Sequence, residues 1–266
     1  MNAANPFLAN GERPRLLGAA QQEALARMRL VVEDRTLGIL TGEVGSGKST
    51  LLALLADELP QADYQVIWLS SSRMTTKELY AGLLKALGEI PAFSAVRVRQ
   101  QWHDLLEART SAQARPLAVM IDEAHEWPEP SLLELRFLMT QGKNPHPAFP
   151  VVLAGQGKLR RTLNTNLLEP IAQRVRMQYH LTGLTLSECQ AYLDDRMLQA
   201  GRERPVFTDS AAKAIFAATQ GIPRVVNLIA GNALMLTLKN NENAVDERHV
   251  VTVLADMDRQ RGVRGA

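Results

Sequence analysis

The stretch Leu37–Thr50, LGILTGEVGSGKST, narrows the possible folds of this chain more than any other. A short apolar run ends in Thr41, and Gly42-Glu43-Val44-Gly45-Ser46-Gly47-Lys48-Ser49 then matches G-x-x-x-x-G-K-[ST]. A helix-like run, Thr50-Leu51-Leu52-Ala53-Leu54-Leu55-Ala56, follows at once. Strand, loop and helix thus come in the order that a phosphate-binding loop requires. The glycines let the backbone curl so that successive N–H groups point at an anion, and the helix start adds the positive end of its dipole. Residues Gly42 to Thr50 are therefore expected to hold the phosphates of a nucleotide. Lys48 would reach the β- and γ-phosphates and the Ser49 hydroxyl would take a place on Mg²⁺.

Further along, the apolar run Leu117–Ile121 is closed by Asp122-Glu123, the Walker-B arrangement. A carboxylate at a strand tip can hold Mg²⁺ through its water shell, the role expected of Asp122. Glu123 can polarise the water that attacks the γ-phosphate. His125 follows, but no second His or Cys stands at ligand spacing, so it reads as a surface or loop histidine. Gln156 ends the strand Val151–Ala154, which would lie beside the phosphate-loop strand. Its side chain can orient the attacking water, or it can simply start a loop. Gln173-Arg174-Val175-Arg176 precedes a last strand. Arg174 there can serve as an arginine finger to a neighbouring subunit, a job for which Arg160 and Arg161 compete. Gly221-Ile222-Pro223-Arg224 opens a later helix, where Arg224 can touch the nucleotide or remain solvated.

These motifs sit in an alternation of strands and helices. Leu37–Thr41, Gln65–Leu69, Leu117–Ile121, Val151–Ala154 and Val175–Leu181 read as strands. Ala19–Asp34, Thr76–Leu87, Arg97–Arg109 and Ser131–Met139 read as helices, with further helical stretches around Lys158–Leu163 and Leu167–Ala172. Gly142–Pro150 reads as a proline-rich loop. Alternation implies parallel pairing and a helix-covered sheet. After Gly183 the strands stop. Thr185-Leu186-Ser187-Glu188 is a capping box opening a helix to about Ala200, and Asp209–Thr219, Pro223–Leu238 and Glu247–Asp258 follow as helices. The expected organisation is an irregular arm over residues 1–18, an α/β nucleotide-binding domain over 19–182, a small helical lid over 183–258 and a basic tail over 259–266.

Composition excludes rather than identifies. Cys189 is the single cysteine, which rules out an intramolecular disulfide and reads as a buried structural thiol. The net charge of +2 does not announce a nucleic-acid partner. The N-terminus lacks a signal-peptide layout and no apolar run reaches the ~18–20 residues of a membrane span, so a cytoplasmic protein is expected.

The order of the motifs resembles the AAA+ ATPases. Asn5-Pro6-Phe7, Glu23-Ala24-Leu25, the run Leu40–Lys48, Ile121-Asp122-Glu123-Ala124-His125 and Gly221-Ile222-Pro223-Arg224 are similar to the family of the ExeA-type secretion ATPases. Short stand-alone members of that family are similar to transposition helper ATPases of the MuB, TnsC and IstB kind. The resemblance implies a P-loop sheet with a helical lid, ATP and Mg²⁺ as cofactors, and assembly into rings or helical filaments. It makes Gln156 sensor 1, Arg174 the finger and Arg224 sensor 2. The secretion members carry a membrane span and a cell-wall-binding domain after the ATPase, and neither is expected from the residues up to Ala266. That favours a helper that binds double-stranded DNA without sequence preference, recruits a transposase and hydrolyses ATP slowly until a partner stimulates it. ATP rather than GTP is expected because no [NT]-K-x-D motif appears. Arg73, Lys77, Arg97 and Arg99 are the candidate DNA contacts, against the alternative that they are ordinary surface charges.

Overall fold

The computed structural model describes residues 5–7, 16–60, 62–70, 73–111, 114–141, 144–202 and 205–263. The chain divides into two compact units. Glu23–Val44 and Lys48–Leu181 form one. The described residues of Met1–Gln22, Gly45–Gly47 and Thr182–Ala266 form the other.

The first unit is a five-stranded parallel sheet in the order β2-β3-β6-β1-β7. Its strands are β1 (Leu37–Gly42), β2 (Gln65–Leu69), β3 (Leu117–Ile121), β6 (Val151–Gly155) and β7 (Val175–Leu181). The three central strands are buried along their whole length, whereas the edge strand β7 alternates between half-buried and exposed positions until Leu181. Helices covering both faces of a parallel sheet explain the unbroken apolar runs of its central strands. The helices are α1 (Ala19–Glu33, whose first four residues group with the second unit), α2 (Lys48–Glu58), α3 (Thr76–Ala86), α4 (Ala95–Ser111), α5 (Glu129–Leu138), α6 (Gly157–Leu163) and α7 (Glu169–Ala172). The core gathers Ile39, Leu83, Trp102, Val119, Leu135 and Leu153. Trp102 is fully buried, stands edge-on to Phe149 at 5.8 Å and donates its indole N–H to the Leu138 carbonyl at 3.2 Å. That bond satisfies the polar handle of an otherwise apolar side chain.

The structure corrects the proline-rich loop. Thr140–Gln141 (β4) and Asn144–Pro147 (β5) pair antiparallel, and the Ala148 N–H closes the ladder on the Met139 carbonyl at 2.7 Å. Residues 142 and 143 lie outside the described residues. Prolines at 145 and 147 hide so short a strand from a reading based on alternation.

The second unit packs α8 (Leu186–Gln199), α9 (Asp209–Thr219), α10 (Pro223–Lys239) and α11 (Glu247–Val263) around Cys189, Leu193, Ile215, Val226, Ile229 and Val250. The Thr185–Glu188 capping box is formed at the start of α8, and the Thr208 hydroxyl accepts from the Ala211 N–H at the start of α9. Helix α11 continues through Val263, so residues 259–263 of the expected tail are helical. Most of the expected arm lies outside the described residues. Its Asn5–Phe7 segment is built into this unit, with Phe7 buried edge-on against Phe207 at 5.5 Å and the Asn5 amide donating to the Gly231 carbonyl at 3.1 Å.

Candidate nucleotide-phosphate site

Central strands β1, β6 and β3 are neighbours, and their registers pair Thr41 with Gly155 and Ile121 with Leu153. The phosphate loop, Gln156 and Asp122 therefore leave one edge of the sheet side by side. Strands lie about 4.8 Å apart, which sets β1 and β3 roughly 10 Å apart across β6. This carboxyl edge is where open α/β sheets bind ligands.

The loop after β1 turns through Gly45 and Gly47, at φ +84° and +101°, a region that side-chain-bearing residues rarely enter. Helix α2 begins at Lys48. The Lys48 ammonium is buried and donates to the loop's own carbonyls, Gly42 at 3.0 Å and Glu43 at 2.9 Å. The Ser46 hydroxyl is buried without a hydrogen-bond partner among the described residues. A buried hydroxyl left without a partner, in a loop that runs into a helix start, fits a polyanion that brings its own acceptor oxygens. Ser49 is exposed and Thr50 half-buried, so the Ser49 hydroxyl is open to a ligand.

At the tip of β3 the Asp122 N–H donates to the Leu69 carbonyl at 2.8 Å. The Asp122 side chain is buried, and its Oδ1 accepts from the Glu123 N–H at 2.8 Å, leaving Oδ2 for other partners. Glu123 takes a left-handed backbone, φ 55° and ψ 28°, with half its side chain exposed. Strain of this kind collects at functional sites. A single 3₁₀ turn, Ala124–Glu126, follows.

His125 lies in that turn, a loop position as expected, but it is not at the surface. The ring is buried, its side chain 4% exposed. A Cβ built on Gly155 would lie 3.0 Å from the His125 N and 3.2 Å from its Cβ, so the turn sits directly against the end of β6. The burial arises between strands remote in sequence; the one local signal was its position three residues after Asp122.

Gln156 is the N-cap of α6, yet its half-buried side chain does not cap the helix. Arg174 lies between α7 and β7, exposed, with Nη1 donating to the Pro170 carbonyl at 2.7 Å. Arg160 and Arg161 are exposed on α6. Arg176 pairs loosely with Asp34 at 3.6 Å. In the second unit, which includes Gly45–Gly47, the Arg224 N–H donates to the Gly45 carbonyl at 3.2 Å, and the Arg224 side chain is exposed.

The four candidate DNA contacts separate. Arg73, Lys77 and Arg97 are exposed, Arg73 with a left-handed backbone at φ 55° and Lys77 with its ammonium 4.8 Å from the centre of the Phe93 ring. Arg99 is instead half-buried, 3.0 Å from Glu134 and stacked 4.7 Å from the centre of the Phe137 ring. Its charge is already engaged by α5, a pairing that sequence distance conceals.

The profile of the AAA domain family matches residues 29–163, from α1 to the end of α6. "General secretion pathway protein A" of Aeromonas hydrophila is 31% identical over 232 residues, which cover 84% of this chain and 41% of that protein. The chain thus spans about two fifths of the length of this curated relative. Among solved structures, Cdc6p from Pyrobaculum aerophilum superposes with a TM-score of 0.71 at 13% identity, covering 91% of this chain and 68% of that one. The Aeropyrum pernix ORC1 protein in complex with DNA superposes at 0.64 and 17% identity, covering 96% and 69%. At such identities these structures share the fold. With the family profile spanning half of the chain and the phosphate loop and Walker-B tip side by side, this chain belongs to the AAA domain family of P-loop ATPases.

Proposed function

We propose that this protein is an ATP- and Mg²⁺-dependent AAA+ ATPase that assembles on double-stranded DNA as a ring or helical filament and regulates transposition by recruiting a transposase. The observation that carries the ATPase reading is the common strand edge of the phosphate loop, Asp122 and Gln156. Bound Mg²⁺-ATP supplies the transferable γ-phosphoryl group and the charge that neutralises it. The chain's own residues do the rest. Lys48 would exchange its two loop carbonyls for β- and γ-phosphate oxygens, and Ser46 would fill its open bonding capacity there. Ser49 and, through its water shell, Asp122 would hold the metal. Glu123 accepts a proton from water, Gln156 orients that water, and Arg174 reaches a neighbouring subunit. Arg224, whose N–H already meets the loop at Gly45, couples nucleotide to the helical unit. A site that is completed by a second copy makes turnover depend on assembly, and so keeps it slow in the free protein.

Support for the DNA part comes from the exposed Arg73, Lys77 and Arg97 on α3, α4 and the turn before them. Repeated in every subunit, they would contact phosphates and give salt-dependent, sequence-independent binding. The solved ORC1 complex illustrates this fold in a DNA-bound protein. A second reading, an ATPase energising secretion or envelope assembly, is favoured by the 31% identity to general secretion pathway protein A. No helix among the described residues is long and apolar enough to cross a membrane, so in that reading another segment or chain supplies the membrane contact.

Binding to a random-sequence duplex with ATP, with ADP and without nucleotide, across a salt series and with the ATP sample imaged by negative stain, separates the two. The proposal expects ATP-dependent, salt-sensitive binding with rings or filaments. Arg97→Ala should lower both affinity and salt slope. Intact ATP binding with no DNA binding in any nucleotide state would refute it in favour of the secretion reading.

A further inference from the structure

The His125 ring is placed between two carboxylates. Its Nδ1 lies 3.2 Å from Glu123 Oε2 and its Nε2 lies 3.2 Å from Glu126 Oε1. Both carboxylates are two-fifths to one-half exposed, whereas the ring is 4% exposed. The ring is therefore the fixed partner. Nδ1 is buried, and the approach to Glu123 is close without being aligned as a hydrogen bond. A small rotation of the Glu123 side chain completes that bond, and a buried ring nitrogen favours it.

The ring cannot move to meet Glu123. Its turn is closed by the Glu126 N–H on the Glu123 carbonyl at 3.0 Å and the Trp127 N–H on the Ala124 carbonyl at 3.2 Å, and it is backed by Gly155. Glu123, by contrast, has its backbone pinned at φ 55° while its side chain swings in solvent. A free glutamate spreads over many rotamers, and fixing it costs conformational entropy.

We propose that His125 is a positioning residue for Glu123: its buried Nδ1 anchors one carboxylate oxygen, Oε2, and leaves Oε1 to face the attacking water. The inference rests on the reading of Glu123 as the group that polarises that water. It requires a proton on Nδ1, the nitrogen that faces Glu123.

Substitutions separate the two nitrogens. The amide nitrogen of asparagine falls near the place of Nδ1, and that of glutamine reaches toward the place of Nε2. Single-turnover ATP hydrolysis should fall about 10- to 100-fold in His125→Ala and His125→Gln, the scale of a misplaced reacting group. His125→Asn should stay within about threefold of wild type, and the KM for ATP should be unchanged in all three. In Glu123→Gln, adding His125→Ala should cost nothing further. A readout without nucleotide is the imidazole ¹⁵N spectrum, with His125 assigned by its loss in His125→Asn. Glu123→Gln should move its Nδ1 resonance.

Equal rates for the asparagine and glutamine variants, wild-type hydrolysis in His125→Ala, or an unmoved Nδ1 resonance would each overturn the inference while leaving Glu123 its role. Wild-type hydrolysis in Glu123→Gln would overturn the reading of Glu123, and the inference with it.

Discussion

Replacing Gly155 by alanine sets a gain against a loss whose sizes can be set out. The added methyl is buried at the end of a central strand, worth about 0.8 kcal/mol in transfer from water. It also lands 3.0 Å from the His125 N and 3.2 Å from both the His125 Cβ and Leu159 Cδ2. Leu159 can turn its methyl aside, but the His125 backbone belongs to a turn closed by two hydrogen bonds and cannot. Overpacking of this kind costs typically 1–3 kcal/mol, and alanine also gains about 0.4–1 kcal/mol through the unfolded chain. The unyielding His125 backbone puts the overpacking cost in the upper half of its range, so the net expectation is a loss of roughly 0.2–1.8 kcal/mol. Gly157 is the control. It opens α6 two residues later, and a Cβ there meets nothing within 4 Å. Alanine at 157 should stabilise by about 0.4–1 kcal/mol through the unfolded chain. Urea unfolding of both variants reads the contrast as midpoints moving in opposite directions at unchanged slope. Gly155→Ala should also slow ATP hydrolysis, because the displaced turn carries Glu123. A Gly155→Ala midpoint at or above wild type, or a Gly157→Ala variant that is the more damaged, would refute the packing of the Walker-B turn on β6.

Two further expectations test other parts of the molecule. ATP at a hundred times its Kd should stabilise the protein by about 2.7 kcal/mol, a rise in Tm of roughly 5–10 °C for a domain of this size; Lys48→Ala should abolish that rise, and an undiminished one would remove Lys48 from the phosphate site. Cys189 is fully buried, and burial pushes its thiol up to about 11. At pH 8 the folded protein would then hold about one thiol in a thousand as thiolate, against about a quarter in an unfolded chain. Iodoacetamide should label Cys189 at least a hundredfold faster in urea than in the native state, and comparable rates would place the thiol at the surface.

Legibility in the sequence followed the range of the interactions involved. Gly42–Ser49 and Asp122-Glu123 could be read because a phosphate loop and a strand-tip carboxylate are contiguous devices, whose backbone and side chains must stand at set spacings. The central strands could be read because burial on both faces demands unbroken apolar runs, and β6 lies beside β1 as its position after the Walker-B strand implied. The β4–β5 hairpin could not, since a two-residue strand and a proline-containing one carry no alternation.

By itself the sequence determined the fold class and the AAA family and singled out the candidate residues for a nucleotide, because each depends on local pattern. Only the tertiary structure decided what the remaining side chains are free to do. His125 is buried because Gly155, thirty residues on, leaves room for its turn. Arg99 is engaged because Glu134 and Phe137 on another helix reach it before any partner can, whereas Arg97, two residues earlier on the same helix, stays exposed. Phe7 belongs to the helical unit because Phe207 offers it an edge-on neighbour. Burial and pairing are properties of what folding brings near, and a charge or a ring carries no mark in sequence of the neighbour that will claim it.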